Sequence, residues 1–344
     1  MIIKKLQKAL RRVQKIPLTD HKSYLLIVFE LIAWIISNRG ELNYYFDYEL
    51  YIRGRRVADY LKTSEFRRIE KELNSPEYFP ILEDKYFFYQ TLEGQGFHSP
   101  RNLFIIDPSG IYSMESRRPV THEEFLQCDF DGFCKVINGY GGKMIYQVEV
   151  SSQNLFVNKE RVLLTDFLQF LEGRKYLIQE RITQHKEMNV LNPSCINTMR
   201  MLTIRTGQEY LYYQGFLRIG INNSYVDNSL SGNITVGIDH NTASLMEFAM
   251  SSHIEHRTMD RHPQTGTVFK GFKIPFYNES VEMVKSLHGI YQQFFMIGWD
   301  IGITPEGPIV IEGNNITGLD PFQTLYGGLK SSFLNLAQEY RMAV

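Results

Sequence analysis

Gly298-Trp299-Asp300-Ile301-Gly302-Ile303-Thr304-Pro305-Glu306-Gly307-Pro308-Ile309-Val310-Ile311-Glu312-Gly313-Asn314 is the stretch from which the rest of the chain can be read. Two apolar runs flank Pro305-Glu306-Gly307, so the segment reads as a β-hairpin with a three-residue loop, Pro opening the turn and Gly taking the left-handed position. That loop pairs Thr304 with Pro308, Ile303 with Ile309 and Asp300 with Glu312. Side chains alternate along a strand, which puts Asp300, Glu312 and Asn314 on one face. Trp299, Ile301, Ile303, Ile309 and Ile311 make the other, apolar face. Directly opposed Cβ atoms lie about 4.5–5.5 Å apart, close enough for two carboxylates to repel unless a cation sits between them. Two carboxylates and an amide oxygen are hard donors that suit Mg²⁺.

Working outward, Val281, Val284, Leu287, Ile290, Tyr291, Phe294 and Phe295 recur at helical spacing and lead into the hairpin. Residues 197–205, 210–219 and 233–238 carry strand signals. Further upstream, 102–106, 130–136, 144–150 and 176–180 read as strands, and 85–92, 123–128 and 165–171 as helices. The pattern is α+β with mainly antiparallel sheets. It divides into a helical region 1–75, a linking segment 76–127, a smaller subdomain 128–182 and a larger subdomain 183–344.

The 344 residues are 43% hydrophobic and 22% charged, with a formal net charge of −1, enough for a large core. No basic domain stands out that would call for nucleic acid. Cys128, Cys134 and Cys195 show no CxxC spacing, which suits a reducing cytoplasm. Charge is unevenly spread: residues 1–75 hold 15 Lys/Arg against 9 Asp/Glu, net +6. Within the first 15 residues, Lys4, Lys5, Lys8, Arg11, Arg12 and Lys15 alternate with apolar positions as a basic amphipathic helix. Such a helix either touches an anionic membrane surface peripherally or packs on the protein body as a partly solvated element. The apolar run 24–36 is too short to span a bilayer and reads as a buried helix.

Three further segments bear chemistry. Lys135-Val136-Ile137-Asn138-Gly139-Tyr140-Gly141-Gly142-Lys143 joins two strands; glycines let backbone N–H groups approach phosphate, and the two lysines bracket it, although Asn-Gly is equally a hairpin turn. Arg200 and Arg218 each stand inside an apolar strand. There they are either solvated or hold an anion with their planar forks. Asp227-Asn228-Ser229 reads only as a polar turn.

Taken in order, these pieces resemble the ATP-grasp superfamily, whose two α+β subdomains clamp ATP. On that resemblance Lys85 and Lys135 bind phosphates and Gly139, Gly141, Gly142 and Lys143 belong to the lid. Gln179, Glu180 and Ile182 lie at the adenine hinge, Asp300, Glu312 and Asn314 hold two Mg²⁺ ions, and Thr317 and Gly318 belong to a substrate loop. Asn197-Thr198-Met199-Arg200, Arg218-Ile219-Gly220, Asp227-Asn228, His262-Pro263-Gln264-Thr265-Gly266 and Gly298-Trp299-Asp300 resemble, more narrowly, the sugar-transfer-associated ATP-grasp proteins found with cell-surface polysaccharide genes. Asn197, Asp227 and Asn228 then fall on the substrate side. A departure is the helical region 1–75, where ATP-grasp folds usually carry a Rossmann-like domain.

The resemblance implies ATP-dependent joining of a carboxylate to an amine through an acyl phosphate, with Arg200 or Arg218 as the catalytic cations. Its partners would be a carboxylate-bearing sugar, such as a uronic acid of a capsular precursor, and an amine or amino acid. A sugar kinase and a non-catalytic nucleotide-binding scaffold are the alternatives.

Overall fold

In a computed structural model, the described residues are 7, 9–13, 21–37, 43–139, 144–171, 173–221, 233–251 and 259–343. They form two antiparallel sheets. The smaller half contains β1 (Asn102–Asp107), β2 (Gly110–Ser113), β3 (Arg118–Val120), β4 (Phe130–Val136), β5 (Ile145–Ser151), β6 (Asn154–Val157), β7 (Glu160–Val162) and β8 (Tyr176–Glu180), in the order β3-β2-β1-β8-β4-β5-β6-β7. The larger half contains β9 (Met199–Thr206), β10 (Glu209–Ile219), β11 (Ile234–Asp239), β12 (Ser244–Met250), β13 (Met296–Thr304) and β14 (Gly307–Asn314), in the order β12-β11-β10-β9-β13-β14.

The small sheet is wider than expected. Ile178 of β8 faces Phe104 on one side and Cys134 on the other, so β1–β3 belong to the same sheet as β4. The boundary expected at 127/128 therefore falls inside it. Four strands of this sheet, β2, β3, β6 and β7, went unseen, as did β12 in the other. β3 (Arg118-Pro119-Val120) and β7 (Glu160-Arg161-Val162) are short, charged edge strands, the composition that blunts an edge. The turns entering β6 and β7 are Ser152-Gln153 and Asn158-Lys159, whose φ angles of 50°, 63°, 51° and 71° do the work usually left to glycine.

The β13–β14 hairpin has the expected strands but a different turn. Its loop is Pro305-Glu306, with Thr304 opposite Gly307, Ile303 opposite Pro308 and Ile301 opposite Val310. The Thr304 hydroxyl closes the turn, donating to Gly307 O (2.9 Å) and accepting from Glu306 N (3.2 Å). A bulge between Asp300 and Ile301 absorbs Ile311, which restores Asp300 opposite Glu312. The apolar face is consequently corrected: Val310 enters the core beside Trp299, Ile301 and Ile303, while Ile311 turns to the cleft between the sheets. Helix Tyr277–Ile290 covers that core through Val281, Val284 and Leu287 and stops short of Phe294 and Phe295, both of which are buried in the connection to β13.

The N-terminal region is helical only in part. Helix Tyr24–Ser37 buries Ile27, Leu31 and Trp34 against Tyr45, Tyr48 and Tyr60, but leaves Leu25, Phe29 and Ile36 exposed, so the expectation of a buried helix holds for one face only. Residues 48–62 are turns and a short 3₁₀ segment. Helix Thr63–Leu73 returns to the large half, where Phe66 and Ile69 pack with Phe295, Phe322 and Phe333.

Asn74 locks this helix to the sheet. Fully buried, its Nδ2 donates to Met296 O and Asn315 O (both 2.8 Å), and its Oδ1 accepts from Phe295 N (2.9 Å) and Met296 N (3.1 Å). Three backbone groups at the root of β13 and one just beyond β14 thus depend on one amide, and orphaning them is costly. Asn74→Ala is predicted to lower unfolding free energy by about 2–4 kcal/mol in urea titration. The exposed neighbour change Glu72→Ala should stay within about 0.5 kcal/mol.

Candidate active site

Between the two sheets lies a cleft of about 950 Å³. Lys135 and Phe133 reach it from β4, Ile145 and Gln147 from β5, and residues 180–184 from the segment leaving β8. Opposite stand Arg200 of β9, Phe216 and Arg218 of β10, Asp300 of β13 and Ile311, Glu312 and Asn314 of β14.

Two lysines from separate elements converge here. Lys85 is the first residue of helix Lys85–Gly94, whose N-cap Asp84 accepts from Phe87 N (3.1 Å). Its backbone N–H donates to Ile137 O (3.3 Å), its Nζ donates to Gly139 O (2.8 Å), and the same Nζ lies 3.6 Å from Glu312. The side chain therefore ties the turn after β4 to β14 across the cleft. Lys135 Nζ donates to Gln179 Oε1 (3.1 Å). Burial pushes the Lys135 ammonium down to about 8; Glu312 partly opposes this and Lys85 adds to it. Two converging ammonium groups, with Lys135 made less basic by burial, are poised to gain from a polyanion.

Facing the lysines is a buried carboxylate held by two guanidiniums. Arg200 binds Asp300 through two bonds, Nε to Oδ1 at 2.5 Å and Nη2 to Oδ2 at 3.0 Å, and Arg218 Nη2 also donates to Oδ1. Burial alone would raise the Asp300 carboxyl; the two guanidiniums outweigh it and hold it below the ordinary carboxylate range. The strand order makes this fork: Asp300 pairs with Arg200 across β13–β9, and Arg218 follows on β10. Gly298 gives it room. A Cβ there would stand 2.2 Å from Thr317 Oγ1 and 3.4 Å from Arg200 Cδ, so any side chain would displace the loop that Arg200 touches at Thr317 (3.4 Å).

That loop is anchored from the N-terminal region. Thr317 N donates to Glu70 Oε1 (3.0 Å), and Arg67 Nη1 donates to Glu70 Oε2 (2.8 Å). Burial raises the Glu70 carboxyl despite Arg67. Asn315 Nδ2 donates to Glu83 Oε1 (2.9 Å). Nothing in the hairpin pattern pointed to Glu70 or Arg67, because they lie almost 250 residues upstream.

The donor set suits a hard cation. Asn314 Nδ2 is spent on Gly298 O (3.0 Å), which leaves Oδ1 as its ligand atom, and Glu312 borders the cleft with one weak ion pair. Asp300 differs from expectation in having both oxygens engaged by arginine. Mg²⁺ fits these oxygens provided Asp300 yields part of a guanidinium contact.

The other expected residues separate clearly. Gly139, Glu180, Ile182 and Thr317 line the cleft. Gln179 lies behind its wall, bound to Asn102 Oδ1 (3.0 Å), and orients Lys135 from there. Asn197 is corrected from a substrate contact to a structural one: its buried Nδ2 donates to Gln184 Oε1, Met188 O and Asn192 O, and it does not line the cleft. Gly318, with φ +70°, follows the lining residue Thr317 without lining the cleft itself. Gly141, Gly142, Lys143, Asp227 and Asn228 lie outside the described residues. The Arg181–Asp131 pair (3.0 Å) at the cleft rim was missed, since neither residue stands in a motif.

Comparisons with known proteins follow this geometry. No curated protein matches the sequence. Among solved structures, the chain is similar to the ATP-grasp ligase PsnB complexed with minimal precursor, Mg and ADP, at 15% identity, 80% of this chain, 67% of that one and a TM-score of 0.40. It is similar to the D-alanine–D-alanine ligase from Bacillus anthracis at 13% identity, 76% and 69% coverage and a TM-score of 0.42. It also resembles the ADP complex of purK, N5-carboxyaminoimidazole ribonucleotide synthetase, at 8% identity and a TM-score of 0.42, covering 75% of this chain and 52% of that one. The profile of the family described as sugar-transfer associated ATP-grasp matches residues 65–337, both sheets and the whole cleft included. The chain therefore belongs to the sugar-transfer-associated ATP-grasp family, and its two sheets are the halves of an ATP-grasp fold.

Proposed function

We propose that the protein is an ATP-dependent carboxylate–amine ligase that modifies a cell-surface polysaccharide precursor. The observation that carries this reading is the convergence, in one cleft, of Lys85 and Lys135 with Glu312 and the Arg200–Asp300–Arg218 fork. Phosphoryl transfer asks mainly for positioning and neutralised charge, and these groups supply both.

In this reading Phe133, Val136, Ile145 and Ile311 wall the space for a planar base, and the segment from Glu180 to Ile182 borders it. Lys85 and Lys135 hold phosphate oxygens. Glu312 and Asn314, joined by Asp300, would hold Mg²⁺, two ions in all, and the metal when bound neutralises phosphate charge. Arg200 and Arg218 stabilise the charge on the transferring phosphoryl group and then on the tetrahedral adduct. The substrate carboxylate takes the phosphoryl group and becomes an acyl phosphate. An amine then attacks the acyl carbon and phosphate leaves, which forms the amide. A uronic acid and an amino acid are the partners in this proposal, in keeping with a family described as sugar-transfer associated. We place the reaction in the cytoplasm, where the three free thiols Cys128, Cys134 and Cys195 stay reduced.

Hydroxylamine separates a ligase from a sugar kinase sharing this clamp. With ATP, Mg²⁺ and a panel of uronic acids, the ligase is expected to yield a hydroxamate by mass spectrometry; a phosphorylated sugar without hydroxamate identifies a kinase. Glu312→Gln should lower turnover by at least about 10²-fold with the fold intact by circular dichroism. Unchanged turnover would remove Glu312 from the site. A pH series tests Lys135. Its folded-state pKa is about 8 against 10.5 for a free lysine, so the cation is present below pH 8 and lost above it. Calorimetric ADP affinity should be flat below that point and fall by up to about tenfold per pH unit above it. Lys135→Arg, which stays charged, should flatten the profile.

A further inference from the structure

We propose that helix Tyr24–Ser37 is a membrane-docking element that lies in the plane of an anionic bilayer. The helix carries Leu25, Phe29, Ile32 and Ile36 at spacings of four, three and four, which is one continuous face. That face is open: Leu25 is 83% exposed, Phe29 71% and Ile36 69%, with Tyr24 and Leu26 beside them. Single exposed apolar residues are ordinary on a protein surface, but a full ridge of large ones is not.

The helix bears one charged residue, Glu30, and it is satisfied inward, accepting from Lys22 Nζ (2.7 Å) and Tyr45 OH (3.0 Å). The opposite face, Ile27, Leu31 and Trp34, is already occupied by Tyr45, Phe46 and Tyr48. Its 14 residues reach only about 21 Å, less than a hydrocarbon core, and no helix among the described residues is long and apolar enough to cross one. An apolar ridge that cannot span a bilayer but can sink into its surface is the interfacial case.

Charge selects the occupant. Residues 1–40 hold eight Lys/Arg and two Asp/Glu. Two copies of so basic a region repel one another, whereas anionic headgroups complement it. The helix is also linked to the cleft through Tyr48, a member of the cluster on which its buried face packs. Tyr48 donates to Asp320, Thr63 Oγ1 donates to the same carboxylate (2.9 Å), and Gln323 Nε2 donates to Tyr48 OH (3.1 Å). Pro321, next in the chain, lines the cleft. An acceptor carried on lipid would thus meet an enzyme already at the surface; that corollary rests on the ligase reading, while the docking itself does not.

Co-sedimentation of the full chain with phosphatidylcholine vesicles, with and without phosphatidylglycerol, tests the docking. Binding is expected with phosphatidylglycerol and should weaken with salt. The Leu25→Ser/Phe29→Ser/Ile36→Ser variant, altered only at exposed positions, should bind at least about tenfold less while keeping its melting temperature and its ADP affinity. In a separate Phe29→Trp variant, fluorescence should shift to the blue on adding anionic vesicles. Equal binding by the triple variant, no binding by the unaltered chain, or a dimer that the triple variant splits and vesicles do not recruit would each overturn the proposal. Because ADP affinity is read apart from vesicle binding, failure of the docking and failure of the nucleotide site are distinguishable.

Discussion

A buried carboxylate cannot stand alone, and the large half of this molecule is arranged around the one at Asp300. Removing a charge from water costs several kcal/mol unless partners replace the solvent. Arg200 and Arg218 are those partners, and they come from β9, the neighbour of β13, and β10, the next strand beyond it. Strand sequence, the bare Gly298 and the Thr317 loop all follow from that requirement. Each gives the guanidiniums a path to the carboxylate or closes the space beside it. What the pairing leaves is a fork of two guanidiniums on one carboxylate, with one positive charge in excess, beside the cleft.

The small half supplies the complementary element. Among the side chains it brings to the cleft is Lys135, oriented by Gln179 and made less basic by burial. Lys85 bridges the halves through Gly139 O on one side and Glu312 on the other. A polyanion entering between these groups would relieve the burial penalty of the lysines and satisfy the fork together.

Much of this was legible in the sequence because it is local. Strand alternation placed Asp300, Glu312 and Asn314 on one face, and the pairing of Asp300 with Glu312 is found. It survived a misjudged turn because a bulge at Ile311 compensated for the shorter loop, and periodicity does not show a bulge. The same blindness put Ile311 rather than Val310 in the core. The arginines were visible as charges in apolar strands, but their shared target depends on sheet order, which sequence spacing does not carry. Asn197 illustrates the converse: a motif residue whose amide serves the loop behind the cleft wall. Glu70, which Arg67 holds, and Asn74 act across more than two hundred residues and left no trace in either pattern.

The N-terminal region gains sense in the same terms. Helix Thr63–Leu73 holds the Thr317 loop through Glu70 and roots β13 through Asn74, so a segment outside the two sheets sets the shape of the cleft beside Thr317. The proposed ligase chemistry requires that the cleft between the sheets be the nucleotide site. Photolabelling with 8-azido-ATP and Mg²⁺, followed by peptide mapping, tests this most directly. Label is predicted on peptides carrying residues 180–184 or 311–314 and should be chased by excess ATP. Chaseable label confined to peptides that do not border the cleft would contradict it.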